Sequence, residues 1–159
     1  MRKITISQLN ELTEKARNSE RLRMNYNFHR QLSDILQRML NAMEPETYVQ
    51  PHKHEDPDKR EAFIILRGKI LTVQFDSEGN ITDHIILDRD AGYFGVEIEP
   101  GVYHTLISLE PGSVVYEVKD GPYNPIDDKN FAGWAPKEGT PGCREYIQKV
   151  LKQLDLKNY

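Results

Sequence analysis

Residues 61–75 read Glu61-Ala62-Phe63-Ile64-Ile65-Leu66-Arg67-Gly68-Lys69-Ile70-Leu71-Thr72-Val73-Gln74-Phe75. Two short apolar runs flank Arg67-Gly68, which reads as two strands and the tight turn between them. The same pattern repeats outward. Further candidate strands at 47–54, 81–87, 93–98, 104–109 and 114–118 are separated by turn-forming clusters such as Asp76-Ser77-Glu78-Gly79-Asn80 and Glu110-Pro111-Gly112. Parallel strands need crossover connections, usually helices, and there is no room for them here. The spacing therefore predicts an antiparallel sandwich or barrel.

Helices are expected only at the two ends. Thr5 followed by Gln8, or Ser7 followed by Asn10, can start a helix whose stripe is Leu9, Leu12 and Ala16 and which ends near Asn18-Ser19. A second runs from about Thr140-Pro141 to Leu156, with Tyr146, Ile147, Val150, Leu151 and Leu154 on its apolar face. Between the first helix and the strands, 21–30 reads as an extended arm in which Leu22, Met24, Tyr26 and Phe28 alternate with polar residues. Residues 37–43 fit two patterns: propensity favours a helix, while alternation also suits a strand between two layers. The Pro-containing, aromatic stretch 120–142 is expected to wrap the β region.

The chain has 159 residues, 38% of them apolar and 29% charged, with a formal charge of −4. That length suits one domain able to bury its own core. No apolar window is long enough for a membrane helix, and no apolar segment follows Met1 as in a secretory signal. Cys143 is the single cysteine, which excludes an internal disulfide framework and suits a reduced, cytoplasmic setting. An acidic chain without a basic tract is a poor nucleic-acid binder, because such binding relies on phosphate neutralisation.

Chemistry concentrates in the histidines. His52-Lys53-His54 closes one candidate strand, and alternate residues of a strand share a face, so both rings can enter one cavity. Glu61 opens the next strand after a hydrophilic loop, and His104 follows Pro100-Gly101. Three neutral imidazoles and a carboxylate suit a borderline divalent metal with one or two positions open. Each residue alone also suits a polar strand end or a satisfied buried histidine.

Two longer patterns carry a resemblance. Pro51-His52-Lys53-His54, Glu61 and Gly68 resemble the first cupin motif, and the Glu97-to-His104 segment with its Pro-Gly turn resembles the second. The resemblance implies that His52, His54, Glu61 and His104 are metal ligands, the ion being Fe, Mn, Ni, Cu or Zn. The six residues between His54 and Glu61 exceed the usual cupin interval, with Glu55 the alternative carboxylate, and Ser108 stands where asparagine is common. Residues 20–139 are similar to the WbuC-like cupin metalloproteins found among genes for bacterial surface polysaccharide synthesis, notably at Arg38-to-Pro45, Leu109-to-Ser113 and the tail through Trp134. The implied fold is all-β, an antiparallel double-stranded β-helix (cupin or jelly-roll barrel) with flanking N- and C-terminal helices. It would comprise a helix and arm at 1–36, a barrel at 37–120 and a wrapping tail and helix at 121–159, all one structural domain.

Strand parity extends the site. Phe63 and Arg67 should share Glu61's face, Tyr48 and Gln50 that of His52, and Ser108 that of His104. Arg67 could hold a carboxylate, phosphate or sugar hydroxyl, or simply close a salt bridge. Tyr48, Glu55 and His29 are the candidate general bases, and the arm could bring His29 or Asn27 near substrate. Three readings follow: a metal-dependent enzyme acting on a sugar or nucleotide sugar by isomerisation or proton transfer; an iron-dependent oxygenase; or a non-enzymatic sugar-binding or structural module. The expected partners are a small polar substrate and, because edge strands need cover, a second copy of the chain, with no nucleic acid and no membrane.

Overall fold

The computed structural model describes residues 1–125 and 128–156; the remaining residues of the predicted 121–159 tail lie outside the described residues. Helix α1 (Ile6–Arg17) precedes ten strands: β1 (Arg23–Asn27), β2 (Leu36–Met43), β3 (His52–Lys53), β4 (Glu61–Arg67), β5 (Ile70–Phe75), β6 (Ile81–Leu87), β7 (Gly95–Ile98), β8 (Tyr103–Ser108), β9 (Ser113–Asp120) and β10 (Asn130–Phe131). Helix α2 (Cys143–Gln153) follows. The strands form two five-stranded antiparallel sheets, ordered β1-β2-β9-β4-β7 and β10-β3-β8-β5-β6. Each described strand belongs to one sheet only, so the arrangement is jelly-roll-like.

Alternation along each strand sorts the side chains into three apolar layers. Between the sheets lie Phe63 and Ile65 of β4, Ile70 of β5, Leu106 of β8 and Val115 of β9. On the outer face of the first sheet, Leu9, Leu12 and Ala16 of α1 cover Leu40, Ala42 and Val114. On the outer face of the second, Ile147, Val150 and Leu151 of α2 cover Leu71, Val73 and Phe75. Covered on both faces, β5 reads as a near-continuous apolar run. The α1 cap is as expected: Thr5 Oγ1 accepts from the Gln8 N–H at 3.3 Å. No helix among the described residues is long and apolar enough to cross a membrane.

Two expectations change. Residues 37–43 form β2, paired along their length with β1 and β9, and not the helix that propensity favours. Leu40 and Ala42 face α1 while Gln37, Met39, Asn41 and Met43 face the intersheet space, so burial on both sides decides the conformation over propensity. The strand expected at 47–54 is reduced to His52–Lys53, because Pro51 has no N–H to donate to a ladder.

Candidate metal centre

The intersheet space is apolar at one end and polar at the other. On β9 the inward parity runs Ser113, Val115, Glu117, Lys119; on β4 it runs from Ile65 through Phe63 to Glu61. Toward the polar end the packing opens into a cavity of about 340 Å³. His52 and Glu61 form part of its wall, with Glu117, Lys119 and Lys129 beside them and Phe63, Val49 and Leu106 as apolar surface.

His52, His54, Glu61 and His104 converge there, all buried, with candidate ligand atoms within 4.8 Å of one another. The β3–β8 ladder places His52 opposite His104, and their ring centroids are 4.6 Å apart. Glu61 reaches across from the other sheet: its Oε2 lies 3.0 Å from His104 Nε2 and its Oε1 3.2 Å from His54 Nε2.

The hydrogen bonding of the rings shows what this cluster lacks. His52 Nδ1 lies 2.9 Å from the Gln50 carbonyl, His104 Nδ1 lies 2.9 Å from the Val102 carbonyl, and His54 Nδ1 contacts the Asp128 carbonyl. A carbonyl only accepts, so each Nδ1 carries the proton and each neutral ring turns an Nε2 lone pair inward. Among the described residues the buried Nε2 atoms of His52 and His54 have no hydrogen-bond partner. His104 Nε2 then meets the Glu61 carboxylate as acceptor against acceptor. Buried acceptors left this way are costly, and a cation at their centre satisfies all of them. The donor set fits a divalent metal.

Electrostatics point the same way. Burial, then the charge of Lys129 and the other rings, holds His52 well below the ordinary imidazole range, in the neutral form that ligates. Burial alone would raise Glu61, and the Lys119 ammonium 3.4 Å from its Oε1 opposes burial and favours the carboxylate. Burial, and then the nearby Glu61 charge, raises Glu117 to about 7. Asp128 binds two buried lysines through its carboxylate, Lys59 and Lys119 (the latter at 2.7 Å), while its carbonyl fixes His54.

Of the other residues expected at the site, the structure brings His29, Asn27 and Phe63 to the cavity wall. Five lie elsewhere. Arg67 docks α1, its guanidinium donating to Gly112 O, Asn10 Oδ1, Leu9 O and Thr13 Oγ1, because the β4–β9 register shifts between Ile65 and Arg67 and breaks the parity. Tyr48 belongs to the layer under α2 and donates to Pro136 O at 2.7 Å. Gln50 ties the tail, contacting Ala132 O and the Glu138 N–H. Parity from His52 does not reach either residue, since the chain before β3 is not a strand. Glu55 pairs with Lys53 and is half-exposed. Ser108 lies at the far end of β8 against the Met43 and Glu110 carbonyls. Sequence reading missed Glu117, Lys119, Asp128 and Lys129. For the first two a signal existed: charged residues at alternate positions continuing the buried face of Ser113 and Val115.

Solved structures share the fold. The chain is similar to CapF crystallised with the inhibitor 3-isopropenyl-tropolone, with a TM-score of 0.59 and 20% identity over 72% of this chain and 32% of that one. It is similar to the capsular polysaccharide assembling protein CapF from Staphylococcus aureus, with a TM-score of 0.55 and 21% identity over 67% of this chain and 28% of that one. Protein SO0799 from Shewanella oneidensis gives a TM-score of 0.53 and 12% identity over 82% and 84% of the two chains. The chain thus spans about a third of the length of the CapF chains. These likenesses show a shared fold, which here carries a His/Glu cluster that could coordinate a divalent metal. No curated protein matches the chain. The family found by sequence carries a description of its own and no WbuC-like one. Its model covers His52, His54 and Glu61 and stops before His104. Matched over residues 4–87, more than half its length, the chain belongs to the family described as Domain of unknown function (DUF6016).

Proposed function

We propose that this protein is a metal-dependent enzyme acting on a small polar substrate, a sugar or nucleotide-sugar intermediate of bacterial surface polysaccharide synthesis, by isomerisation or proton transfer. The observation that carries the reading is the convergence of three Nε2 lone pairs and one carboxylate on the wall of a polar cavity. The sequence resemblance to WbuC-like proteins, and a fold shared with a capsular polysaccharide assembling protein, support the polysaccharide setting.

A divalent ion bound by His52, His54, Glu61 and His104 supplies a Lewis acid able to polarise a carbonyl or hold vicinal oxygens. The chain's own groups do the rest. Glu117 lines the cavity beside Glu61, and the Asn41 amide donates to its Oε2, so its carboxylate is placed to take a proton from substrate and return it. His29 lines the same cavity with its Nδ1 engaged by the Arg38 backbone, leaving Nε2 for substrate. Phe63 and Leu106 offer an apolar wall for one ring face. A homodimer belongs to the same reading, supported by exposed Ile64, Tyr93 and Phe94 around the β7 edge.

Metal analysis of purified protein, followed by turnover assays on a panel of sugars and nucleotide sugars, tests this. We expect close to one divalent ion per chain and, in a His52→Ala/His54→Ala variant that keeps its circular dichroism, none. Wild-type protein that neither retains nor rebinds metal overturns the reading. Ligand binding that persists without turnover in the loaded protein reassigns it as a binding module.

A further inference from the structure

The cavity's charges do not balance. Four cationic side chains line it, Arg21, Arg23, Lys119 and Lys129, against the carboxylates of Glu61 and Glu117. Three of the four end on carboxylates. Arg21 and Arg23 share Glu138, at 2.7 and 2.6 Å, and Lys119 lies 2.7 Å from Asp128 and 3.4 Å from Glu61. Lys129 is different: among the described residues no hydrogen bond or ion pair holds its ammonium, although it lines the same cavity. Partial burial of an unpaired cation is unfavourable unless something supplies the counter-charge.

The neutral groups add to the imbalance. The Asn25 amide donates to Asn27 Oδ1 at 2.7 Å, which engages the acceptor of Asn27 and leaves its Nδ2 free to donate. The Asn41 amide and the buried Glu117 engage each other. Among the groups left over are two donors, Lys129 Nζ and Asn27 Nδ2, and a divalent ion would make the cavity more positive still. A ligand that complements such a wall is rich in acceptors and negatively charged.

We propose that the cavity selects a small polyhydroxylated anion, a compound of sugar size bearing a carboxylate or a phosphate, with Lys129 as the contact for its charged group. This rests on the reading of the cavity as the substrate site. A volume of about 340 Å³ is at the small end for ligand pockets and suits one sugar ring inside the protein.

The test is calorimetric titration of the metal-loaded full chain with glucuronate, glucose 1-phosphate and glucose, with metal content measured on each sample. At least one of the two anions should bind about tenfold or more tightly than glucose, and its affinity should fall with added salt, as for charge-assisted contacts. Lys129→Gln should lose about tenfold toward that anion and leave glucose unaffected, while Lys129→Arg should retain most of the affinity. Preference for the carboxylate or for the phosphate identifies which anion the site reads. The inference is overturned if glucose binds as tightly as both acids, if neither acid binds, or if Lys129→Gln with unchanged metal content binds the acids like wild type. Those results leave the metal reading standing; protein that holds no metal overturns that reading instead, and the two failures are separate measurements.

Discussion

Glu138 is one residue on which two cavity-lining arginines depend. Its carboxylate accepts from Arg21 Nε at 2.7 Å, Arg21 Nη2 at 3.1 Å and Arg23 Nη2 at 2.6 Å, linking the tail to β1. Burial alone would raise its pKa, but the two guanidinium groups outweigh burial and hold it below the usual carboxylate range. A carboxyl whose folded pKa is depressed stabilises the fold above its unfolded pKa, and that contribution is lost as pH falls through the folded value. Glu138→Gln should therefore cost about 1 kcal/mol near neutral pH, discounted for partial exposure. Urea denaturation of parent and variant should show the difference shrinking once the pH drops below about 4. A difference that stays constant with pH would mean that the charge contributes nothing.

The elements show what the sequence makes legible. The strands at 61–67, 70–75 and 81–87 coincide with β4, β5 and β6, because unbroken runs between strong turn residues need no tertiary information. The histidines and Glu61 were legible for a similar reason: their spacing is local, and parity along a short strand sets which residues share a face. β2 was not, since Gln, Arg, Met, Leu and Ala favour helix and only the layers on both sides make it a strand. Nor were Asp128 and Lys129, whose place depends on how the tail returns to β3. Arg67 shows how one bulge misdirects parity. Three of its four donated bonds fasten α1 to the β4–β5 end of the sheet and the fourth holds the Gly112 turn, so it acts on an element and not on the cavity. Arg67→Met should lower stability by about 1.5–3 kcal/mol, the range for hydrogen bonds to a charged group. Hydrogen exchange should speed up selectively in α1 while metal affinity stays unchanged; a loss of metal affinity would return Arg67 to the site.

At the scale of the molecule, the donors come from both sheets. His52 and His104 stand on adjacent strands of one, with His54 just past the end of β3, while Glu61 stands on β4 of the other. A metal held by all four ties the sheets together at the end where the interior is polar and apolar packing is thinnest. The opposite end is closed by side chains such as Ile70, Leu87 and Val115 and needs no such tie. Folding assembles the donor set, so metal binds the native state and not the dispersed chain, and the stabilisation follows mass action. At free metal 100-fold above Kd it amounts to about 2.7 kcal/mol. Adding the native ion to chelator-treated protein should raise Tm by several degrees, with the shift growing as metal concentration rises. His104→Ala should abolish that response, and so should Glu61→Gln if the tie between sheets matters, since the amide keeps the size and removes the charge. If Glu61→Gln kept the full metal-dependent rise in Tm, the ion would belong to the histidine sheet alone, and the cavity end would owe its closure to the Lys59–Asp128–Lys119 pairs instead.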